Sequence, residues 1–336
     1  MNLALIGAGT IGRMHAANIT FGVEGARLYG VADVFADAAR TCAERYNIPR
    51  WTADYHELLA DPKVDAVLVA SATSTHADIV EAAAKAGKAI FAEKPIAKSL
   101  ADADRALGAV TKAGVPFQIG FQRRFDPNFA RVKQAIVKGE IGRPHIAHLV
   151  SRDPGPRTAG PVGVGGGVWF DMMIHDADMA LWLIDDAAVE VYTQAAVLIA
   201  PGLEKYGEYD VAVVMVKFAN GAIATIDNHT DAAYGYDQRA EVIGSAGAIS
   251  IDNTYPHNAI VSDASGLHRA KPMPYFLERY QAVYRDEVQH FVNDVRDGKP
   301  IAVGVKEARD SLLLVLAAKK SHEERRAVRI AEVTAG

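Results

Sequence analysis

The sequence predicts an α/β chain in two domains: a doubly wound parallel sheet over residues 1–120, then an α+β domain with a large, mainly antiparallel open sheet over 121–336, whose C-terminal helices are free to pack back on the first domain. Three observations predict it. A short apolar run, a glycine-rich turn, a helical pattern, a second apolar run and an acid follow one another between Leu3 and Asp33. Apolar runs then alternate with helical patterns as far as Gly120, as in a parallel sheet covered on both faces. From His145 on, strand-like runs succeed one another with few helices between them, as in an antiparallel sheet.

The first element is the strand Leu3–Ile6, which runs into Gly7-Ala-Gly9-Thr10-Ile11-Gly12 and a helical pattern through Ile19. Gly7 permits the tight turn, Gly9 lets the backbone approach a pyrophosphate, and Gly12 lets helix and strand pack closely. The helix start then offers N–H groups to phosphate. The next apolar run, Ala26–Ala32, ends on Asp33. A carboxylate there accepts hydrogen bonds from a ribose 2′-hydroxyl and repels a 2′-phosphate, and neither Val34 nor Phe35 brings a cation, so NAD is favoured over NADP. This is the dinucleotide fingerprint of a Rossmann domain in its required context.

Helices follow at Asp37–Tyr46, near Tyr55–Leu59, at Ile79–Lys85 and at Leu100–Lys112, with strands at Ala66–Ala70, Lys88–Ala92 and Pro116–Gly120. Ligands of such sheets bind past the carboxyl ends of the strands. Two of those ends are polar. Ser71-Ala-Thr73-Ser-Thr75-His76 supplies Ser71, Thr73 and His76 as candidate cofactor contacts, with Thr75 placed to cap the next helix. Glu93-Lys94-Pro95 adds Glu93 and Lys94. A lysine held at a strand end by the following proline sets a fixed positive charge where a substrate oxygen gains negative charge.

The other chemistry-bearing stretch is Gly165–Leu183. Asp171, His175 and Asp178 stand at i, i+4 and i+7, one face of a helix, among Met172, Met173, Ile174, Met179, Leu181 and Leu183. A carboxylate beside an imidazole orients it and raises its basicity, which is how a general base is built. From spacing alone a structural Asp–His pair reads equally well. Around this stretch lie a helix at Phe129–Lys138 and strands at His145–Ser151, Val189–Ile199, Val211–Phe218, Ala222–Asn228, Arg239–Ile243 and Ala248–Ile251. Asn220-Gly221 marks a hairpin. In Val211–Phe218 both alternating faces are largely apolar, so the open face of this sheet is expected to meet another subunit. Asp153–Gly167, rich in proline and glycine, reads as a loop over the site. Tyr275–Asp297 and Val305–Lys320 read as core helices.

Composition narrows the function. With 336 residues, 50% of them hydrophobic, the chain can bury two cores. A net charge of −5 with scattered lysines and arginines offers nucleic acid no basic footprint. No apolar run approaches the roughly 20 residues of a spanning helix, and the first strand leaves no room for a signal peptide, so no membrane partner and a cytoplasmic location are expected. Cys42, the one cysteine, reads as core. It allows no internal disulfide and no cysteine-built zinc site, which disfavours a zinc alcohol dehydrogenase; no metal is expected.

On Gly7–Gly12, Glu93-Lys94-Pro95, Gly120-Phe-Gln-Arg-Arg-Phe-Asp126, Asp171-x-x-x-His175 and Tyr234-Gly-Tyr-Asp-Gln-Arg239, the chain resembles the family of glucose–fructose oxidoreductase and inositol dehydrogenase. The likeness runs over nearly the whole length, and the latter segments are most similar to inositol 2-dehydrogenases. The resemblance implies NAD-dependent oxidation of a cyclitol ring hydroxyl, myo-inositol above all, to a ketone. It implies that Lys94 orients the substrate hydroxyl, that His175 is the general base held by Asp171, and that Arg123, Asp153 and Tyr234 contact the polyol. Asp153, where relatives carry Asn, and Gln122, where they carry Met or Asn, are departures that bear on the preferred stereoisomer. The resemblance also implies a homo-oligomer, a dimer or homotetramer, through the open sheet. The alternatives are a dehydrogenase of another sugar or cyclitol and a non-catalytic NAD-sensing regulator on the same fold, which retention of Lys94, Asp171 and His175 argues against.

Overall fold

The first strand, β1 (Asn2–Ile6), is buried over Leu3–Ile6, because strands of a parallel sheet are covered on both faces and carry continuous apolar runs. A computed structural model describes residues 1–155 and 167–334. The chain divides into two compact units: Met1–Phe125 with Ala282–Leu312, and Asp126–Gln281 with the residues from Leu313 on. Residues 282–312 return to the first unit.

In the first unit the strand alternates with α1 (Thr10–Gly22), β2 (Arg27–Ala32), α2 (Ala36–Tyr46), β3 (Arg50–Thr52), α3 (Tyr55–Leu59), β4 (Ala66–Val69), α4 (Thr73–Lys85), β5 (Ala89–Glu93), α5 (Leu100–Ala113) and β6 (Phe117–Gly120). The sheet order is β3-β2-β1-β4-β5-β6, with every pair parallel. The strand order reverses at β1, which makes its carboxyl end the switch point where ligands of such sheets bind. Strand β3, three residues long, escapes sequence periodicity. Ser99 caps α5, its hydroxyl accepting the Asp102 N–H and donating to the Asp102 carboxylate, and Gly114 ends it in the left-handed region. One layer of the core joins Leu3, Leu5, Ile19, Val31 and Phe91 to Val288, Phe291 and Val292 of the returning helix Gln281–Asp297. Each such side chain contributes about 1.5–3 kcal/mol on burial. The expected helix over Tyr275–Asp297 is interrupted at Tyr280, where φ −116° and ψ 13° leave the helical region.

The second unit begins with α6 (Pro127–Val137), capped by the Asp126 carboxylate on the N–H groups of Asn128 and Phe129. Then come β7 (Pro144–Arg152), a π-helical turn over Val168–Met173, α7 (Ile174–Ile184), β8 (Ala188–Ala196), β9 (Val211–Phe218), β10 (Ile223–His229), β11 (Asp237–Gly244) and β12 (Gly247–Ile251). The short hairpin β13 (Ile260–Asp263) and β14 (Gly266–Arg269) stands apart, and β15 (Val328–Arg329) closes the sheet edge. The sheet order is β12-β11-β7-β10-β9-β8-β15, antiparallel except for the parallel pair β7–β10. β9 and β10 meet through Asn220-Gly221, with Gly221 at φ +88°, the hairpin signalled in the sequence. One face of the sheet is core: Ala212, Val214, Val216 and Phe218 are buried. On the other, Val213 is 53% and Met215 49% exposed, and Tyr192, the register partner of Met215, and Ile223, the partner of Lys217, are exposed on the same face. No helix among the described residues is long and apolar enough to cross a membrane.

Candidate active site

The glycine turn between β1 and α1 is enforced by sterics. Gly7 has φ +101°, and a Cβ there would sit 2.5 Å from the Ala70 carbonyl oxygen; a Cβ on Gly12 would sit 1.9 Å from that of Gly7. Glycine is therefore required at both positions for β1, β4 and α1 to close together. Gly9 faces open space. It caps α1 without a side-chain hydrogen bond, and no acid stands in the first turn, so the N–H groups around Thr10, Ile11 and Gly12 present the positive helix end to an anion. At the end of β2, one Asp33 carboxylate oxygen accepts the Ala8 N–H at 2.7 Å and the other accepts the Phe35 N–H at 2.9 Å. The carboxylate is thereby fixed beside the turn, and each oxygen keeps a lone pair for a ribose hydroxyl.

The next strand ends are built differently from their sequence reading. α4 starts at Thr73 with Ala72 as its cap residue. Thr75 lies inside the first turn, because its hydroxyl donates to the Ala72 carbonyl and also bonds the Ser71 hydroxyl; it does not cap the helix. His76 is 2% exposed, with its ring nitrogens 2.9 Å from the Pro95 carbonyl and 3.0 Å from that of Ser71. Burial pushes this imidazole's pKa down, against the two carbonyl bonds and the Glu93 charge that raise it. Its ring ties the β4 loop to the Lys94–Pro95 segment. The Lys94–Pro95 bond is cis. The Glu93 carboxylate is likewise turned inward, 2.7 Å from His15 Nε2. Lys94 is partly exposed at the β5 end. Arg123 is buried in the 3-10 turn Gln122–Phe125 that follows β6. The glycine turn, Asp33, Ser71, Thr73, Lys94 and Arg123 thus follow the carboxyl ends of β1, β2, β4, β5 and β6 in one sheet.

In the second unit, Asp171 belongs to the π turn and is partly exposed, whereas His175, 8% exposed, and Asp178, fully buried, belong to α7. The i→i+5 bonding of a π turn takes in an extra residue and recurs at functional sites; 3.6-residue periodicity gives no sign of it. Asp176 holds this helix to the sheet. Its carboxylate accepts the Ser151 hydroxyl at 2.5 Å and the Asn228 amide at 2.8 Å, and Ser151 also bonds Gln238. Asn228, Ser151 and Gln238 are register partners across β10, β7 and β11, so one buried acid spans the parallel pair. Sequence reasoning missed Asp176. The signal was present as polar residues, Ser151 and Asn228, on the inward alternation of otherwise apolar strands, where burial demands a partner.

Asp153 follows β7. Its N–H donates to the His229 carbonyl, its carbonyl accepts from Ala232, and Tyr275 donates to its carboxylate at 3.4 Å. Tyr234 donates to Asp237 at 2.7 Å and accepts from Arg152 at 2.8 Å, with Arg152 also paired to Asp227 and Arg239 to Asp237. Burial, then the bond to Asp237, raises the Tyr234 phenol's pKa. Burial pushes the Asp237 carboxyl up, but hydrogen bonds from Arg239, Tyr234 and Asn253 hold it below the usual carboxylate range. The Tyr234 hydroxyl is therefore fixed by a charged network while its ring stays half exposed. The proposed loop over the site falls mostly on residues 156–166, outside the described residues.

Residues 1–121 match the family model "oxidoreductase family, NAD-binding Rossmann fold", and residues 129–250 match the GFO/IDH/MocA C-terminal domain. The chain is 43% identical over 333 residues to a myo-inositol 2-dehydrogenase of Thermotoga maritima, covering 99% of each. It is 37% identical to a scyllo-inositol 2-dehydrogenase (NAD(+)) of Bacillus subtilis, covering 95% of this chain and 93% of that one. The crystal structure of a probable dehydrogenase from Thermotoga maritima superposes with a TM-score of 0.95 at 42% identity, covering 99% of this chain and 100% of that one. With the Rossmann cradle and the second unit's open sheet both in place, the chain belongs to the GFO/IDH/MocA family of oxidoreductases.

Proposed function

We propose that this protein oxidises a ring hydroxyl of a cyclitol, myo-inositol above all, to the ketone with NAD as the hydride acceptor. The observation that carries the reading is the order of groups along one parallel sheet: an anion-ready glycine turn, a fixed ribose-binding carboxylate at Asp33, and a lysine at the β5 end. When bound, NAD accepts the hydride that leaves the carbinol carbon. The hydroxyl proton must leave with it. In this reading His175, oriented by Asp171, takes that proton; Lys94 lowers the hydroxyl's pKa and stabilises the developing alkoxide. Arg123, Asp153 and the Tyr234 ring hold the polyol. Anchoring of α7 through Asp176 supports the assignment of His175, since a general base must be held rigidly to act.

The protein further works in the cytoplasm as a homotetramer, or a dimer, through the open face of the second sheet; the exposed Val213 and Met215 support this. The test of the function is NADH absorbance with myo-, scyllo- and chiro-inositol and common aldoses. Turnover with an inositol and little with aldoses is expected. Turnover with aldoses alone would move the substrate to another sugar, and binding of NAD without turnover of any polyol would favour a sensor.

A further inference from the structure

Beneath the β5 end lies a cluster that the reaction described above does not use. His15 of α1, Glu93 of β5 and Glu287 of the returning helix each bring one ligating atom to within 4.8 Å of the others, and all three are buried. His15 Nε2 lies 2.7 Å from Glu93 Oε1, hydrogen-bond distance, and the imidazole is walled edge-on by Phe91 and Tyr284. Glu93 pairs with Gly120 across β5–β6, and its carboxylate fills the space a Cβ at Gly120 would need, at 3.2 Å. Gln118 donates to the backbone carbonyl of Glu287. Both Glu287 carboxyl oxygens are buried with no hydrogen bond among the described residues.

Two ionised carboxylates with one imidazole would bury a charge that nothing offsets. Burial, and then the Glu93 charge, push the Glu287 carboxyl well above the usual carboxylate range. The low-energy arrangement keeps one negative charge, on Glu93 facing His15, and one proton on Glu287. We propose that His15, Glu93 and Glu287 form a buried acid–imidazole cluster, its proton kept on Glu287, that acts as a positioning group for Lys94, pinning the end of β5 through Glu93 and keeping a single negative charge there. The role rests on the reading of Lys94 as the group that meets the substrate hydroxyl. A second charge beside the β5 end would compete with the developing alkoxide for the Lys94 ammonium.

The test is an infrared pH titration of the full chain and of Glu287→Gln, without substrate or cofactor, with metal content, Tm against pH and steady-state rates alongside. A carboxylic-acid carbonyl band is expected at pH 7 in the wild type and absent in Glu287→Gln. A folded pKa above the unfolded one gives stability that is full below the unfolded pKa and lost as pH rises through the folded pKa. Wild-type Tm should therefore fall more steeply than that of Glu287→Gln from pH 5 to pH 9. Glu93→Gln should lower kcat about tenfold with the KM for NAD unchanged, and Glu93→Asp should recover part of that loss; equal losses in both variants, or a KM for NAD that rises alongside, would mean a purely structural loss and overturn the positioning role. Absence of the band, or one equivalent of a bound divalent metal in the purified protein, overturns the cluster. Should Glu93→Gln not fold, the band and Tm slopes decide the cluster and Glu93→Asp the role. The band is read without substrate, so it stands apart from the reaction; normal turnover by Lys94→Ala would instead overturn the reading of Lys94.

Discussion

At the scale of single residues, the proposed ribose contact is Asp33. Its carboxylate is fixed by two backbone N–H groups, so its charge stays beside the glycine turn. Asp33→Ser should lower the kcat/KM preference for NAD over NADP by about 10–100-fold, the size of a hydrogen bond to a charged group; unchanged discrimination would place the ribose elsewhere. Gly7, Gly12 and Asp33 were legible in the sequence because each obeys a local rule of turn geometry or strand-end chemistry. The inward bonds of His76 and Glu93 were not. Their partners, the Pro95 carbonyl and His15, lie 19 and 78 residues away, and only the folded sheet says which way each side chain turns.

At the scale of elements, the hold of α7 on the sheet depends on Asp176. Asp176→Ala leaves the buried groups of Ser151 and Asn228 without their acceptor, so urea unfolding should show a loss of about 1–3 kcal/mol, with Asp176→Asn losing less. An unchanged midpoint would mean the helix is held by packing alone. Long strands and helices were legible from apolar periodicity, with ends shifted by a few residues. What the pattern hid was set by tertiary pairing. β3, β13, β14 and β15 are two to four residues long, too short for a period, and the parallel pairing of β7 with β10 brings together strands some 70 residues apart. The π turn and the break at Tyr280 likewise carry no sequence period.

At the scale of the whole molecule, two cores were expected from length and pattern, and the return of residues 282–312 to the first unit follows from Val288, Phe291 and Val292 completing its core. The exposed apolar face of the second sheet predicts self-association. The wild type should sediment as a dimer or tetramer at micromolar concentration and Met215→Glu as a smaller species; a monomeric wild type would remove the face from the account. The central claim, that His175 is the base of a polyol dehydrogenase, is tested most directly by NADH formation from myo-inositol by the wild type and His175→Ala, measured across neutral pH at matched Tm. General-base help is worth about 10²–10⁴ in rate, and the account predicts a loss of that size with NAD binding kept; near-normal turnover by His175→Ala would contradict it.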